Sequence, residues 1–473
     1  MKVTSIIALI LTVQQGFAQT PKIEDSACPI KIDSSFRTRC GYLIVPENRN
    51  KSNGKTIKLP FIIAYSKNPQ KKNDPLLYTT GGPGGSSLDW ISGVVKHSPI
   101  LDRDCIAFEQ RGTYYAIPNL NGPELDEAVR EAYRKNLNKD SMMLEGVKRF
   151  KADLVAKGID LSGYNTDETV DDIDDLLKVL HIDSVNLMGV SYSGGLMLDV
   201  LKKDPARIRS LILDSPLPNF IPIDEDEPAN LNEALKTLFG YCERDSSDQT
   251  KYSDLYAKFQ RYFSSLEGKI FTETCVDKHT GDSLRIQYTR SDLLDIIEGR
   301  MFRVPTIKDI PYMITEMMAG RYEPYIRNYL EGMINDGGGS NGMRMSVYCA
   351  DQTAYHDERI LTQMYDLYPY MRGYHINDPY KIMCDCWNVP PIRPESKQPF
   401  YSDKPALLAD GALDPACRPL YIAMIHHYLP NSQRLVFRNR SHVVLFNADT
   451  DARLKAFLDD PYAKIDVPEN LDK

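Results

Sequence analysis

The segment Gly189-Val190-Ser191-Tyr192-Ser193 constrains this chain more than any other. It follows the apolar run Val185–Met188 and precedes the helix-like run Leu196–Leu201. A strand that feeds a helix through so tight a turn nearly folds back on itself. Small residues are therefore needed two before and two after the turn residue. Gly189 meets that need, and Ser193 meets it less comfortably than glycine would. The turn lifts the Ser191 hydroxyl out of the sheet edge and aims the Tyr192 backbone N–H at the space where an oxyanion would form.

The rest of the chain supplies a sheet for that turn. Tyr42–Val45 and Ile57–Ala64 read as an antiparallel start, and Pro75–Thr79 and Cys105–Phe108 as short apolar strands. A charged helical stretch covers 121–158. Val170, Ile173, Leu176, Leu177 and Leu180 fall at helical spacing, with Asp171, Asp172, Asp174 and Asp175 expected on a solvated opposite face rather than at a metal site. The turn strand follows, then Ile208–Leu213. Strands alternating with helices imply parallel pairing with right-handed crossovers. From about 218 to 395 the rhythm breaks into mostly helical sequence rich in Tyr, Met and Glu, with a glycine loop at Asp336–Gly342. It resumes at Ala406–Ala409 and ends with Leu435–Phe437 and the helix Ala452–Leu458.

A serine that attacks a carbonyl needs a base, an acid to orient the base, and donors for the oxyanion. Asp410 and Asp414 lie in the loop after the strand at Ala406, and His442 lies just beyond the last strand. Asp414 is preferred as the acid because it sits past the turn at Gly411, whereas Asp410 suits a turn-stabilising role. His97, His181, His279, His356 and His375 precede the last strand, and His426 and His427 sit within a helix, which leaves His442 as the base. Thr80-Gly81-Gly82-Pro83-Gly84-Gly85 lacks the Gly-Lys-Ser/Thr ending of a phosphate loop, and Pro83 removes a donor. It fits better as the second oxyanion donor, through Gly82 or alternatively Gly81. Ser193 is a lesser alternative nucleophile that lacks the leading glycine.

Five segments together carry a family resemblance. Thr80–Gly85 is similar to the His-Gly-Gly-Pro-Gly loop of the prolyl iminopeptidase and tripeptidyl aminopeptidase family of α/β-hydrolases, with Thr80 in place of the histidine. Glu109-Gln110-Arg111-Gly112 resembles that family's Asp-Gln-Arg-Gly segment. Gly189–Gly195 resembles its Gly-x-Ser-Tyr-Gly-Gly elbow, Gly411–Pro415 its Gly-x-x-Asp-Pro acid loop, and Cys40–Pro46 the opening strand of its secreted branch. Ser193 and Ser441 stand where the family has glycine, and no member of the catalytic triad is missing. The resemblance runs over residues 28–460 and is weakest over 220–340. It implies an α/β-hydrolase: a mostly parallel eight-stranded sheet flanked by helices, with a first core segment at 28–217, a large mainly helical lid at 218–395 inserted after the sixth strand, and a second core segment at 396–473. It implies a serine peptidase that releases one or a few residues from the N-terminus of peptide substrates through an acyl-enzyme, with Ser191, Asp414 and His442 as the triad and Tyr192 and Gly82 as the oxyanion hole. An aminopeptidase must hold an ammonium. Glu225 and Glu227, just after the sixth strand, and Glu109 are the candidates, against the plainer readings of an acidic hinge and of a carboxylate that pairs with Arg111 or supports its loop. No metal or cofactor is called for. A carboxylesterase or lipase-like hydrolase of small esters, and a non-catalytic binding protein on the same fold, are the competing readings.

Composition narrows the setting. The net charge of −8 offers no basic excess for nucleic acid. Met1-Lys2, the apolar run Val3–Val13 and Gly16-Phe17-Ala18 read as a signal peptide over 1–18, cleaved near Ala18/Gln19, with no later apolar run long enough to span a bilayer. The mature protein is therefore expected in the periplasm or outside the cell. Export permits disulfides. Of nine cysteines, Cys28 with Cys40 and Cys242 with Cys275 are expected as local bridges and Cys105 as a buried free thiol. Cys384 and Cys386 suit disulfides rather than zinc.

Overall fold

The computed structural model describes residues 20–51, 54–96, 102–244, 250–336, 340–377 and 379–465. The expected signal peptide and its cleavage point lie outside these residues, as does part of the glycine loop at 336–342. The central sheet is built from Lys22–Asp25 (β1), Thr38–Pro46 (β2), Thr56–Ala64 (β3), Lys72–Thr79 (β4), Arg103–Phe108 (β5), Val185–Val190 (β6), Ile208–Asp214 (β7), Ala406–Gly411 (β8) and Ser432–Phe437 (β9). Their order is β1-β2-β3-β5-β4-β6-β7-β8-β9. The pairings from β5 to β9 are parallel, and β1, β2 and β3 add antiparallel to one side. The expected mostly parallel sheet is present with nine strands rather than eight. The extra one, β1, reads Lys-Ile-Glu-Asp and is largely exposed at the edge, so it has no apolar alternation to reveal it.

Side chains alternate across the sheet and build a core on each face. Leu77, Phe108, Leu187, Leu211 and Leu408 meet Ile173, Leu177, Met197 and Leu201 on one face. Tyr78, Ala107, Met188, Ile212 and Leu407 meet Leu88, Leu454 and Phe457 on the other. The helices concerned include Ser87–Lys96 (α1), which follows β4, Thr166–Val179 (α4) and Ser193–Lys203 (α5); Glu124–Lys135 (α2) and Lys139–Ala156 (α3) fill the charged stretch after β5. The acidic side of α4 is not the solvated face expected. Asp172 is fully buried. It receives both the Nε and Nη2 donors of Arg111 at 2.7 Å, and Arg49 at 2.8 Å. Arg49 also bonds Glu168 and Asp175, so α4 is pinned to the loops after β2 and β5 by its charges.

Between β7 and β8 lies the long insertion. It is mainly helical, from Ile223–Arg244 (α6) onward, with one hairpin, Phe271–Val276 paired to Ser283–Tyr288. It has its own core around Leu235, Phe239, Phe259, Phe263, Ile297 and Tyr370, to which Leu413 of the loop after β8 contributes. Two disulfides close loops: Cys28–Cys40, as expected, and Cys349–Cys384. Cys105 is a buried free thiol. The expected Cys242–Cys275 bridge is absent: Cys275 is a free thiol, fully buried in the core of the insertion. Cys384 has its partner in Cys349, and Cys386 is a free thiol. Among the described residues no helix is long and apolar enough to cross a membrane.

Candidate active site

The parallel strands all end at one edge, and each expected site residue follows one of those ends. In register, Thr79 faces Gly189, Val190 faces Asp214 and Gly411 faces Phe437. Ser191 therefore leaves β6 beside the loop after β4, and the Asp414 and His442 loops leave β8 and β9 side by side.

Ser191 has φ +56°, a left-handed conformation that costs a non-glycine residue about 1–3 kcal/mol. The turn is held by bonds on both sides: Ser191 N–H donates to the Asp214 carbonyl at 3.0 Å, and Leu217 N–H donates to the Ser191 carbonyl at 3.0 Å. Gly189 is obligatory, since a Cβ there would lie 2.2 Å from the Ser193 carbonyl oxygen. Ser193 fits because its side chain points away from the catalytic edge. It is fully buried, its Oγ donates to the Thr80 carbonyl, and Gln110 Nε2 reaches both Ser193 Oγ, at 3.0 Å, and the Thr80 carbonyl, at 2.9 Å. A serine closed off behind the turn has no route to a substrate, which removes Ser193 as an alternative nucleophile.

Asp414 and His442 meet. Asp414 Oδ2 lies 2.7 Å from His442 Nδ1, with the carboxylate fully buried and the imidazole 14% exposed. The other oxygen accepts the N–H groups of Ala416 and Cys417, each at 2.8 Å, so the carboxylate is fixed in rotation. Burial lowers the His442 pKa, but Asp414, with Asp214 and Glu298 behind it, outweighs this and leaves it raised. Asp410 does not reach the imidazole. It is buried, bonds the Gly411 N–H at 2.7 Å, and is pushed well above the usual carboxylate range by burial and by Asp414 beside it. The Phe302 ring stands edge-on to His442 at 5.5 Å.

Asp214, which sequence reasoning did not single out, joins the two halves of the site. Its carbonyl holds the Ser191 N–H, while its buried carboxylate accepts the N–H groups of Val444 at 2.8 Å and Leu445 at 2.9 Å, directly after His442. Ser215 Oγ adds a bond from Val443 N–H at 2.9 Å. The only signal in the sequence was an acid at the end of an apolar strand.

The glycine loop lies against the turn. A Cβ on Gly81 would stand 2.6 Å from the Ser191 Cβ, and Gly82 has φ +119°, a region open to glycine. Neither the Tyr192 nor the Gly82 N–H has a hydrogen-bond acceptor among the described residues. Arg344, from the insertion, donates to the Gly82 carbonyl at 2.8 Å.

The three amine candidates separate. Glu109 is buried at the start of α1 and accepts the N–H groups of Ser87 at 2.9 Å and Leu88 at 3.2 Å. It caps that helix and is raised to about 7 by burial, while Arg111 pairs with Asp172 instead. Glu225 accepts the Asp357 N–H at 2.6 Å and is taken up inside the insertion. Glu227 is the third candidate. It is buried in α6 near Arg344 and Glu298, and Tyr348 donates to it at 3.4 Å. Glu298, hidden in the helix Arg290–Met301, was missed in the sequence. Burial and Asp295 raise it to about 7, and His442 and Arg344 pull it back.

A family model described as alpha/beta hydrolase fold matches residues 74–251, which contain the glycine loop, the Ser191 turn and Asp214. The chain has the α/β-hydrolase fold. A second model, described as TAP-like protein, matches residues 368–467 of this hydrolase, including Asp414 and His442. The hydrolase is 26% identical over 196 residues to tripeptidyl aminopeptidases of Streptomyces lividans and Streptomyces coelicolor, a stretch that spans 37% of this chain and 35% of each relative. Among solved structures it is similar to a proline iminopeptidase of Mycobacterium smegmatis, 14% identical, covering 89% of this chain and 98% of that one at a TM-score of 0.40. The TAP-like match and the tripeptidyl aminopeptidase relatives agree with the resemblance read from the motifs.

Proposed function

We propose that this α/β-hydrolase is an exported serine peptidase that releases one or a few residues from the free N-terminus of peptides. The observation that carries the reading is the convergence, at one sheet edge, of a left-handed Ser191 and an Asp414–His442 pair at 2.7 Å, with two unoccupied N–H donors, Tyr192 and Gly82, beside the serine. In the proposed reaction Ser191 Oγ attacks the peptide carbonyl while His442 Nε2 takes its proton. The N–H groups of Tyr192 and Gly82 hold the oxyanion, and Asp414 stabilises the imidazolium. The carbonyl re-forms as the C–N bond breaks, and His442 returns the proton to the leaving amine. Water, deprotonated by the same histidine, then releases the acyl group and restores Ser191.

Glu227 and Glu298 support the preference for a free amine. Both carboxyls are raised, above all by burial, which the cations acting on them, Arg344 on Glu227 and His442 with Arg344 on Glu298, do not offset. An arriving ammonium would supply the missing countercharge. The tripeptidyl aminopeptidase relatives support a peptide rather than an ester substrate, and the two disulfides support export. The test is hydrolysis of tripeptide and aminoacyl nitroanilides, their N-acetylated forms and short acyl esters by the purified protein. The reading expects cleavage of the free-amine peptides that acetylation abolishes and that Ser191→Ala eliminates. Cleavage of esters alone would overturn it.

A further inference from the structure

One π-helical turn of the insertion, Cys349–Thr353, ties together parts of the molecule that are far apart in sequence. Cys349 is bonded to Cys384 in the helix Lys381–Trp387. Gln352 Oε1 accepts the backbone N–H of Ile223, the first residue of α6, at 3.2 Å. Thr353 Oγ1 donates to Asp224 Oδ2 at 3.1 Å. Asp351 faces the catalytic core. It is fully buried, and its Oδ2 accepts the hydroxyl of Thr166, the first residue of α4. Thr166 Oγ1 is in turn 2.6 Å from the Tyr192 phenol oxygen.

These bonds have one consistent direction. Thr166 has a single hydroxyl proton, and Asp351 takes it. The Tyr192 phenol must then donate to Thr166, so the chain runs Tyr192 to Thr166 to Asp351. Tyr192 is 5% exposed and packed in the core of the sheet, so its ring and phenol are both fixed. Its backbone N–H, on the other side of the same residue, is the donor assigned to the oxyanion. Single π-helical turns inside α-helices are frequent at functional sites.

We propose that Asp351 is a positioning residue. Through Thr166 and the Tyr192 phenol it holds the Tyr192 N–H in line with the oxyanion, so that the insertion contributes to acyl transfer without touching the substrate. The proposal rests on the serine-peptidase reading above. It gives the π-turn a role beyond packing: one turn anchors α6, where Glu227 lies, and also anchors the residue after the nucleophile.

The test uses full-length protein and the variants Asp351→Ala, Asp351→Asn, Thr166→Val and Tyr192→Phe. Each is assayed for kcat and KM on a tripeptide nitroanilide and for its rate of fluorophosphonate labelling. Misaligning an oxyanion donor lowers kcat by about 10–100-fold with KM nearly unchanged, and slows labelling in parallel. Asp351→Asn retains an acceptor for Thr166 and keeps most of the activity. Thr166→Val combined with Tyr192→Phe is no slower than the slower single variant, because both break the same chain. Folded Thr166→Val and Tyr192→Phe proteins with wild-type kcat, or with the whole loss in KM, would overturn the proposal. If Asp351→Ala does not fold, Tyr192→Phe, which removes one oxygen, decides. A wild-type protein that neither labels nor turns over would overturn the peptidase reading as well, whereas active wild type with unaffected variants would overturn this proposal only.

Discussion

Replacing Asp214 by alanine tests how the two halves of the site are held together. The substitution removes the two oxygens that accept the Val444 and Leu445 N–H groups, and leaves the backbone carbonyl that receives the Ser191 N–H. Val444 and Leu445 are 0% and 1% exposed, so bulk water does not reach their N–H groups. An orphaned buried donor costs about 1–3 kcal/mol, and two cost about 2–6 kcal/mol. Asp214→Asn keeps one acceptor and so costs about half as much. The loss falls on the segment just after His442, and hydrogen–deuterium exchange reads it there: every 2 kcal/mol of lost protection speeds exchange about 30-fold. Fluorophosphonate labelling of Ser191 slows in the same order, with alanine slower than asparagine. Unchanged exchange at Val444 and Leu445, together with wild-type labelling of Asp214→Ala, would refute the clamp.

Other consequences are open to direct measurement. His442 must be neutral to take a proton, and its pKa is raised above the ordinary 6.5. Activity therefore falls as pH drops through a midpoint above 6.5; in Asp414→Asn the acid limb of kcat/KM moves down and kcat falls by about 10⁴-fold. Glu227→Gln and Glu298→Gln raise KM about tenfold or more for free-amine peptides and leave short esters unaffected, since only the ammonium loses its countercharge. Iodoacetamide on denatured, unreduced protein leaves Cys28, Cys40, Cys349 and Cys384 unmodified. Cys384→Ser, which opens the loop of sequence separation 35, lowers stability by about 2–4 kcal/mol in a denaturant titration.

What could be read in advance followed from how local its signal was. The strands β6, β7 and β8 are apolar because both faces are covered, β4, β5 and β9 are apolar toward their ends, and the turn at Ser191 and the loops at Asp414 and His442 follow strand ends closely, so strand ends and chemistry were legible together. β1 was not, because an edge strand of Lys-Ile-Glu-Asp buries almost nothing. The Cys349–Cys384 bridge joins residues on separate elements, which no spacing rule anticipates, while Cys28–Cys40 closes a short loop at the start of β2. The acids show the limit most clearly. Asp172, Asp214, Glu298 and Asp351 occur in ordinary helix or strand sequence, yet they form an ion-pair network, a clamp, a candidate amine contact and a buried anchor. Each role depends on which partner the fold brings opposite. For Ser193, replacing a glycine looked like a defect in the turn, whereas the residue pairs with Gln110 and the Thr80 carbonyl behind it.

The most direct test of the central claim is covalent labelling of the purified protein with a fluorophosphonate, followed by peptide mapping. The account predicts a single modified residue, Ser191, with loss of peptidase activity in proportion to labelling and no labelling of Ser191→Ala. Folded protein that remains unlabelled, or a label on any other serine that abolishes activity, would contradict it.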